Sequence, residues 1–234
     1  MMNMNSKKNL SMSKKMFMFA GLTALLFVVM IILLKTTDVQ AIGPENSEVG
    51  FATVNGFMAE VFPYNEAILN VTEVLGYTAI ALAGVFAVTG VVQLVMKKNF
   101  WQIDSSFVPL AALYVLTVFS YVLFEVITIN YRPVILDPAE GLEVSFPSSH
   151  TLLSCVILSS AIVEIGILIK NKTLRLVLQI LALIMMCAIV FGRMASGVHW
   201  FTDILGGIVL SSVLIFLYLG FLRVYHKIAV SKRK

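Results

Sequence analysis

At 234 residues, 59% hydrophobic and only 13% charged, with a mean hydropathy of +0.93, the chain is too apolar for a water-soluble domain. Uncharged runs of about 20 residues match a hydrocarbon layer of ~30 Å at ~1.5 Å per helical residue, which points to an all-α transmembrane bundle. The net charge of +4 is spread between the apolar runs rather than gathered into a patch, which argues against a nucleic-acid surface and makes the basic residues topology signals.

The first 15 residues carry Lys7, Lys8, Lys14 and Lys15 and form a basic N-terminus. The apolar run over residues 16–34 follows. At about 19 residues it exceeds the ~7–15 of a signal-peptide core, so an uncleaved first span is favoured, although Val39-Gln40-Ala41 resembles a cleavage site. Residues 35–72 form a polar connector with Asp38, Glu45, Glu48, Glu60 and Glu66 and turn signals at Gly43-Pro44 and Phe62-Pro63-Tyr64-Asn65. Between those turns, residues 49–61 are mildly amphipathic; a helix along the membrane surface and a simple ordered connector are both open readings.

Five further spans are predicted over residues 73–96, 107–129, 148–169, 174–194 and 200–225, giving six in all. Ala79, Ala83 and Ala87 recur every fourth position in the second span, as close helix packing in a membrane requires. Cys155 and Cys187 lie in apolar runs without metal or redox spacing and read as small packing residues. Glu164 falls within two turns of Lys170 and reads as a carboxylate snorkelling or pairing at the membrane edge.

Six spans place fourteen of the 17 basic residues on one side. They are the four N-terminal lysines, then Lys97, Lys98, Lys170, Lys172, Arg175, Arg223, Lys227, Lys232, Arg233 and Lys234. Lys35, Arg132 and Arg193 remain for the other side. The crowded side is therefore expected to be cytoplasmic, with both termini and a basic tail over residues 227–234.

The sparse side holds the reactive residues. One segment reads Asn130-Tyr131-Arg132-Pro133, then Phe146-Pro147-Ser148-Ser149-His150; a second runs from Gly192-Arg193 through His199 to Asp203. An arginine at mid-bilayer costs roughly 2.5–3.5 kcal/mol even on the lenient scale, so both arginines belong at helix ends. Pro133 disfavours helix at Arg132, which predicts that the third span stops there. Pro147 marks the start of the fourth span, whose free N–H groups suit a phosphate, while Ser148 taken alone is an ordinary helix cap. His199 and Asp203, four apart, would share a helical face, so that the carboxylate could hold one imidazole nitrogen and free the other; such pairs also occur as plain polar contacts. The turn Ala195-Ser196-Gly197 reads as short and flexible, bringing Arg193 near His199.

Arg132-Pro133, then Pro147-Ser148-Ser149-His150, then Arg193-x5-His199-x3-Asp203 resembles the type 2 phosphatidic acid phosphatase family, marked by K-x6-R-P, P-S-G-H and S-R-x5-H-x3-D. The resemblance covers a core over residues 73–226. It implies an integral membrane lipid phosphatase, a hydrolase whose His199 attacks phosphorus to form a phosphohistidine, with Asp203 orienting it and His150 as general acid. Arg132, Arg193, Ser148 and the Ser149 backbone would cradle the phosphate. Neither metal nor cofactor is implied; the partners would be a lipid phosphate and membrane lipids, with the oligomeric state left open. Undecaprenyl diphosphate, phosphatidate and phosphatidylglycerol phosphate are the candidate substrates, and a bacterial plasma membrane with an extracytoplasmic site is the expected setting.

Three positions depart from the pattern. Glu125 stands where the family has lysine and must turn away, pair with an arginine, or weaken catalysis. Ser149 replaces glycine, which is tolerable if its φ is negative. Gly192 replaces serine and forfeits a hydroxyl. Glu125 keeps a second reading open, a noncatalytic protein that binds lipid phosphate or a partner; a transporter is disfavoured, because no charged pairs cross mid-membrane.

Overall fold

All six prolines lie between α-helices or, at Pro109, in the first turn of one, so backbone hydrogen bonding runs unbroken through every apolar run. The computed structural model describes residues 4–232, among which it has seven α-helices and no strand. They are α1 (Met4–Thr36), α2 (Ala52–Val61), α3 (Glu66–Lys97), α4 (Phe107–Val126), α5 (Ser149–Leu168), α6 (Lys172–Ala195) and α7 (Phe201–Lys232). Six of these, all except α2, are long and apolar enough to cross a bilayer. The chain is a multi-pass membrane protein. Arg233 and Lys234 lie outside the described residues.

The spans match the hydropathy reading in number and order but differ at their ends. The first and last helices, α1 and α7, run well past their apolar stretches into the lysine-rich ends, because lysine and arginine are good helix formers and hydropathy marks only the lipid-immersed part. Asn65 and Asn171 cap α3 and α6 by accepting from the amides of Ile68 and Leu174 at 3.1 and 3.0 Å. These caps satisfy donors that the bilayer could not.

Helices α5 and α7 are the centre, each 50% buried over its span against 11–28% for the others. α1 lies along α7, α3 and α6 pack on α5, and α4 packs on α7. Beneath the polar end, Phe27 stacks on Phe146 at 5.8 Å between ring centroids and meets Phe124 edge-on at 5.6 Å, forming an aromatic floor with Leu152 and Leu210. Ala79 is buried, whereas Ala87 is exposed, so the small-residue stripe serves helix packing only at its start.

Two polar readings change. Glu164 does not reach the membrane edge: it is fully buried, with one oxygen accepting from Tyr218 Oη at 2.6 Å and the other from Ser106 Oγ at 2.7 Å. Satisfied by two hydroxyls, it ties α5 to α7 and to the start of α4 without a cation. Cys155 is buried as expected, but Cys187 is exposed on α6.

The connector is an ordered cap on the bundle. Asp38 Oδ2 accepts from the Thr53 amide at 2.7 Å, a bond that with the Gln40 contact holds this carboxyl below its usual pKa. Helix α2 crosses the start of α7, where buried Asn55 donates to Thr202 Oγ1 at 3.0 Å and accepts from the Thr202 amide at 3.2 Å. Asn55 thus terminates α7 from outside its own sequence neighbourhood. The opposite end gathers the α3–α4 link and the end of α7, with Trp101 stacked on Tyr225 and Ser105 Oγ 2.7 Å from His226 Nδ1.

Candidate active site

Arg132 is not at a helix end. α4 stops at Val126, six residues before it, and the chain turns extended at Ile127. The β-branched run Ile127-Thr128-Ile129 followed by the restriction from Pro133 favours extended backbone over helix. This segment pairs with the one before α5. The Arg132 amide donates to Glu143 O at 3.0 Å, the Ser145 amide donates to Asn130 O at 2.9 Å, and Tyr131 and Val144 form an antiparallel bridge. The Arg132 guanidinium has its Nε 2.9 Å from Glu143 Oε2.

His150 sits in the first turn of α5, its ring against Gly76 of α3. Ser148 is the cap, its hydroxyl accepting from the Thr151 amide at 3.5 Å while its own amide donates to Asp203 O at 3.0 Å. That last bond joins the start of α5 to the start of α7. Ser149 does not have a positive φ, so a side chain in place of glycine brings no backbone strain.

Arg193 occupies the last turn of α6 and is only 1% exposed. Its Nη1 donates to Thr72 Oγ1 at 3.4 Å and stands 4.0 Å from Glu73 Oε1. A Cβ at Gly192 would lie 2.4 Å from Thr72 Cγ2, so the residue that forfeits a hydroxyl makes room for the threonine that supplies one. The following turn is closely packed rather than loose. Gly197 has φ +68, and a Cβ there would meet Phe62 O, Pro63 C and Tyr64 N within 2.7 Å.

His199 lies just before α7, so it and Asp203 do not share a helical face as expected. The His199 Nδ1 to Asp203 Oδ2 distance is 3.9 Å, too long for a hydrogen bond. Ser145 stands between them. Its hydroxyl donates to Asp203 Oδ2 at 2.6 Å, which leaves its oxygen to accept from His199 Nδ1 at 2.9 Å. The proton therefore resides on Nδ1, and Nε2 carries the free lone pair. Fully buried Asp203 also accepts from the Trp200 amide at 2.9 Å and from Asn130 Nδ2 at 3.3 Å.

Four of these side chains lie close enough to act on one another electrostatically, and each leaves a polar atom unpartnered. Arg132 Nη1, Arg193 Nε, His150 Nδ1 and His199 Nε2 are all buried, and none has a hydrogen-bond partner among the described residues. Burial first, then the charges of Arg132, Arg193 and His150, hold the His199 imidazole well below its usual pKa. Three cationic or basic groups acting on one buried ring leave a strongly electropositive recess. Beside it lies a tight cleft of about 20 Å³ lined by Tyr121, Glu125, Arg132, Ser145, Ser149 and His199, among others. Glu125 is exposed at this cleft, interacts with Tyr121, and has no arginine within 4.0 Å among the described residues. Such an arrangement can hold a tetrahedral anion and present a neutral imidazole nitrogen to it.

The structure brings Arg132, His150, Arg193, His199 and Asp203 together at one end of the bundle. It engages the Ser148 hydroxyl as a helix cap. Ser145, Thr72, Asn130 and Asn55 were not anticipated; each contacts a partner more than 55 positions away, and local spacing carries no signal for that.

The model of the PAP2 superfamily matches residues 78–226, which contain all three motifs. No curated protein sequence matches the chain. Among solved structures, the chain is similar to a transmembrane PAP2-type phosphatidylglycerolphosphate phosphatase from Bacillus subtilis. The TM-score is 0.60 at 17% identity, covering 87% of this chain and 95% of that one. At that identity the likeness is one of fold.

Proposed function

Because the chain belongs to the PAP2 superfamily, we propose that it is an integral membrane phosphatase that hydrolyses a lipid phosphate or diphosphate. The observation that carries the reading is the set of four buried, unpartnered polar atoms on Arg132, Arg193, His150 and His199. Buried guanidinium donors without partners are costly; an anionic phosphoryl group satisfies them, and its phosphorus can face the lone pair on His199 Nε2. The basic residues at the opposite end of the bundle support an extracytoplasmic site in a bacterial plasma membrane.

In the proposed reaction His199 Nε2 donates its lone pair to phosphorus, and the bond from phosphorus to the lipid oxygen breaks. His150 gives the leaving oxygen its proton. Water then attacks the phosphohistidine, passing a proton back to His150, and inorganic phosphate leaves. Arg132 and Arg193 balance charge on the transferring group throughout. Asp203 acts through Ser145, which passes its orienting hydrogen bond to Nδ1. Ser145→Ala is expected to lower kcat about tenfold to a hundredfold with little change in KM, and Ser145→Thr to restore most of it. Equal kcat in wild type and Ser145→Ala would remove the serine from this role.

An interfacial site lets the headgroup meet the arginines while the tail stays in hydrocarbon, which favours lipid over soluble esters. Undecaprenyl diphosphate suits an outward-facing site. Phosphatidylglycerol phosphate joins the test panel because the similar solved structure is described as acting on it, and phosphatidate completes it. Phosphate release by purified protein across this panel tests the reading; no release from any lipid phosphate overturns it. That failure would favour the noncatalytic lipid-phosphate binder, which the acidic Glu125 at the cleft also suits. For the enzyme, reversing this exposed charge with Glu125→Lys is expected to lower KM about fivefold. An unchanged or higher KM would show that Glu125 does not repel the substrate.

A further inference from the structure

A groove of about 400 Å³ lies at the end of the bundle opposite the catalytic cleft, between the start of α1 and the end of α7. It is lined by Ser13 from α1 and by Arg223, Val224, Lys227, Ile228, Ser231 and Lys232 from α7. The α7 residues follow helical spacing, 223, 227 and 231 on one row and 224, 228 and 232 on the next, so one helix face supplies both cations and apolar wall. No carboxylate lines the groove, and none lies within 4.0 Å of Arg223, Lys227 or Lys232 among the described residues. Two acidic residues at this end are hydrogen-bonded away from the groove, although Asp104 lines an adjoining recess with Arg223 and His226. Asp104 accepts from Gln93 at 2.7 Å, and Glu164 is bonded to Ser106 and Tyr218.

Depth identifies the occupant. Arg223 stands twenty-two residues beyond Phe201, about 33 Å along the helix, and Lys227 about 39 Å. A hydrocarbon layer is ~30 Å thick and the bilayer with headgroups ~40–45 Å, so these two cations fall at the phosphate level of the far leaflet. Val224, one residue beyond Arg223, offers an apolar wall to the glycerol end of a lipid, and Ile228 continues that wall outward. A soluble phosphate compound would have no use for that apolar wall, and a zwitterionic lipid would leave the cations uncompensated.

We propose that the groove between α1 and α7 is a binding site for an anionic phospholipid of the leaflet opposite the catalytic cleft. This does not depend on the chemistry assigned to that cleft. Each basic residue near a membrane surface adds about fivefold to the attraction for anionic lipid.

The test places full-length protein in bilayer discs of equal phosphatidylglycerol and phosphatidylcholine and measures the co-retained lipid by native mass spectrometry. Wild type is expected to retain phosphatidylglycerol at least about tenfold over phosphatidylcholine. The variant Arg223→Gln/Lys227→Gln/Lys232→Gln should fall to within about twofold of parity. The charge-preserving variant Arg223→Lys/Lys227→Arg should keep the preference, which separates loss of charge from loss of fold. Absence of preference in wild type overturns the proposal. So does a preference that survives the triple substitution, because the lipid then sits at the catalytic cradle or elsewhere on the surface.

Discussion

Replacing His199 by alanine is expected to cut phosphate release from every accepted lipid by at least about a thousandfold. Nε2 of this ring is the free nitrogen in the electropositive recess, and the neighbouring atoms on Arg132, Arg193 and His150 are donors. The other ring nitrogen, Nδ1, is held by Ser145, which fixes the lone pair on Nε2. The pH dependence carries a second expectation. Only the neutral ring attacks, and burial, then the charges of Arg132 and Arg193 and the neighbouring His150, lower its proton affinity in the free protein. The ring therefore stays neutral as pH falls through its ordinary value of 6.5 and is lost to protonation only in more acid solution. The acid limb of kcat/KM for the wild type should accordingly lie below pH 6.5. Comparable turnover in wild type and His199→Ala would refute the assignment, and an acid limb above that pH would contradict the electrostatic account.

The second large effect is expected at Arg193. Its guanidinium is almost wholly buried, braced by Thr72 and flanked by Glu73, with Nε left unpartnered among the described residues. Arg193→Gln keeps a donor but removes the charge, and should lower kcat/KM about a hundredfold to a thousandfold, the range seen when one preorganised donor to a developing anion is lost. Arg193→Lys should recover only part of this, since an ammonium cannot contact Thr72 and the phosphate with a fixed planar fork. Both variants can be checked for folding by thermal unfolding in detergent. Wild-type kcat/KM in Arg193→Gln would place the phosphate away from α6.

Much of this site was legible in the residues. Spacing grouped Arg132, His150, Arg193, His199 and Asp203, and charge asymmetry placed them away from the basic loops, because the bilayer leaves few places for such side chains. What escaped was set by tertiary contact. Asp203 was expected to hold His199 directly, but α7 starts two residues after the histidine, and the gap is filled by Ser145 from a segment 54 positions earlier. Gly192 looked like a lost hydroxyl because Thr72, 121 positions from Arg193, was invisible to local pattern. Arg132 was placed at the end of a helix that stops at Val126, since apolar β-branched residues satisfy hydropathy while favouring extended backbone. Glu164 reads on the page as an edge carboxylate; only the approach of α4 and α7 reveals its two hydroxyl donors.

The paired segments around Arg132 and Ser145 are locked at their base by backbone bonds to Glu143 and Asn130, while the tip over residues 137–140 is exposed and closed by its own turn at Asp137. Register is decided below the tip, so the tip can lengthen, shorten or change character without moving the reacting groups. A reporter peptide or an affinity handle grafted there would project from the active-site end of the bundle and is expected to leave turnover intact.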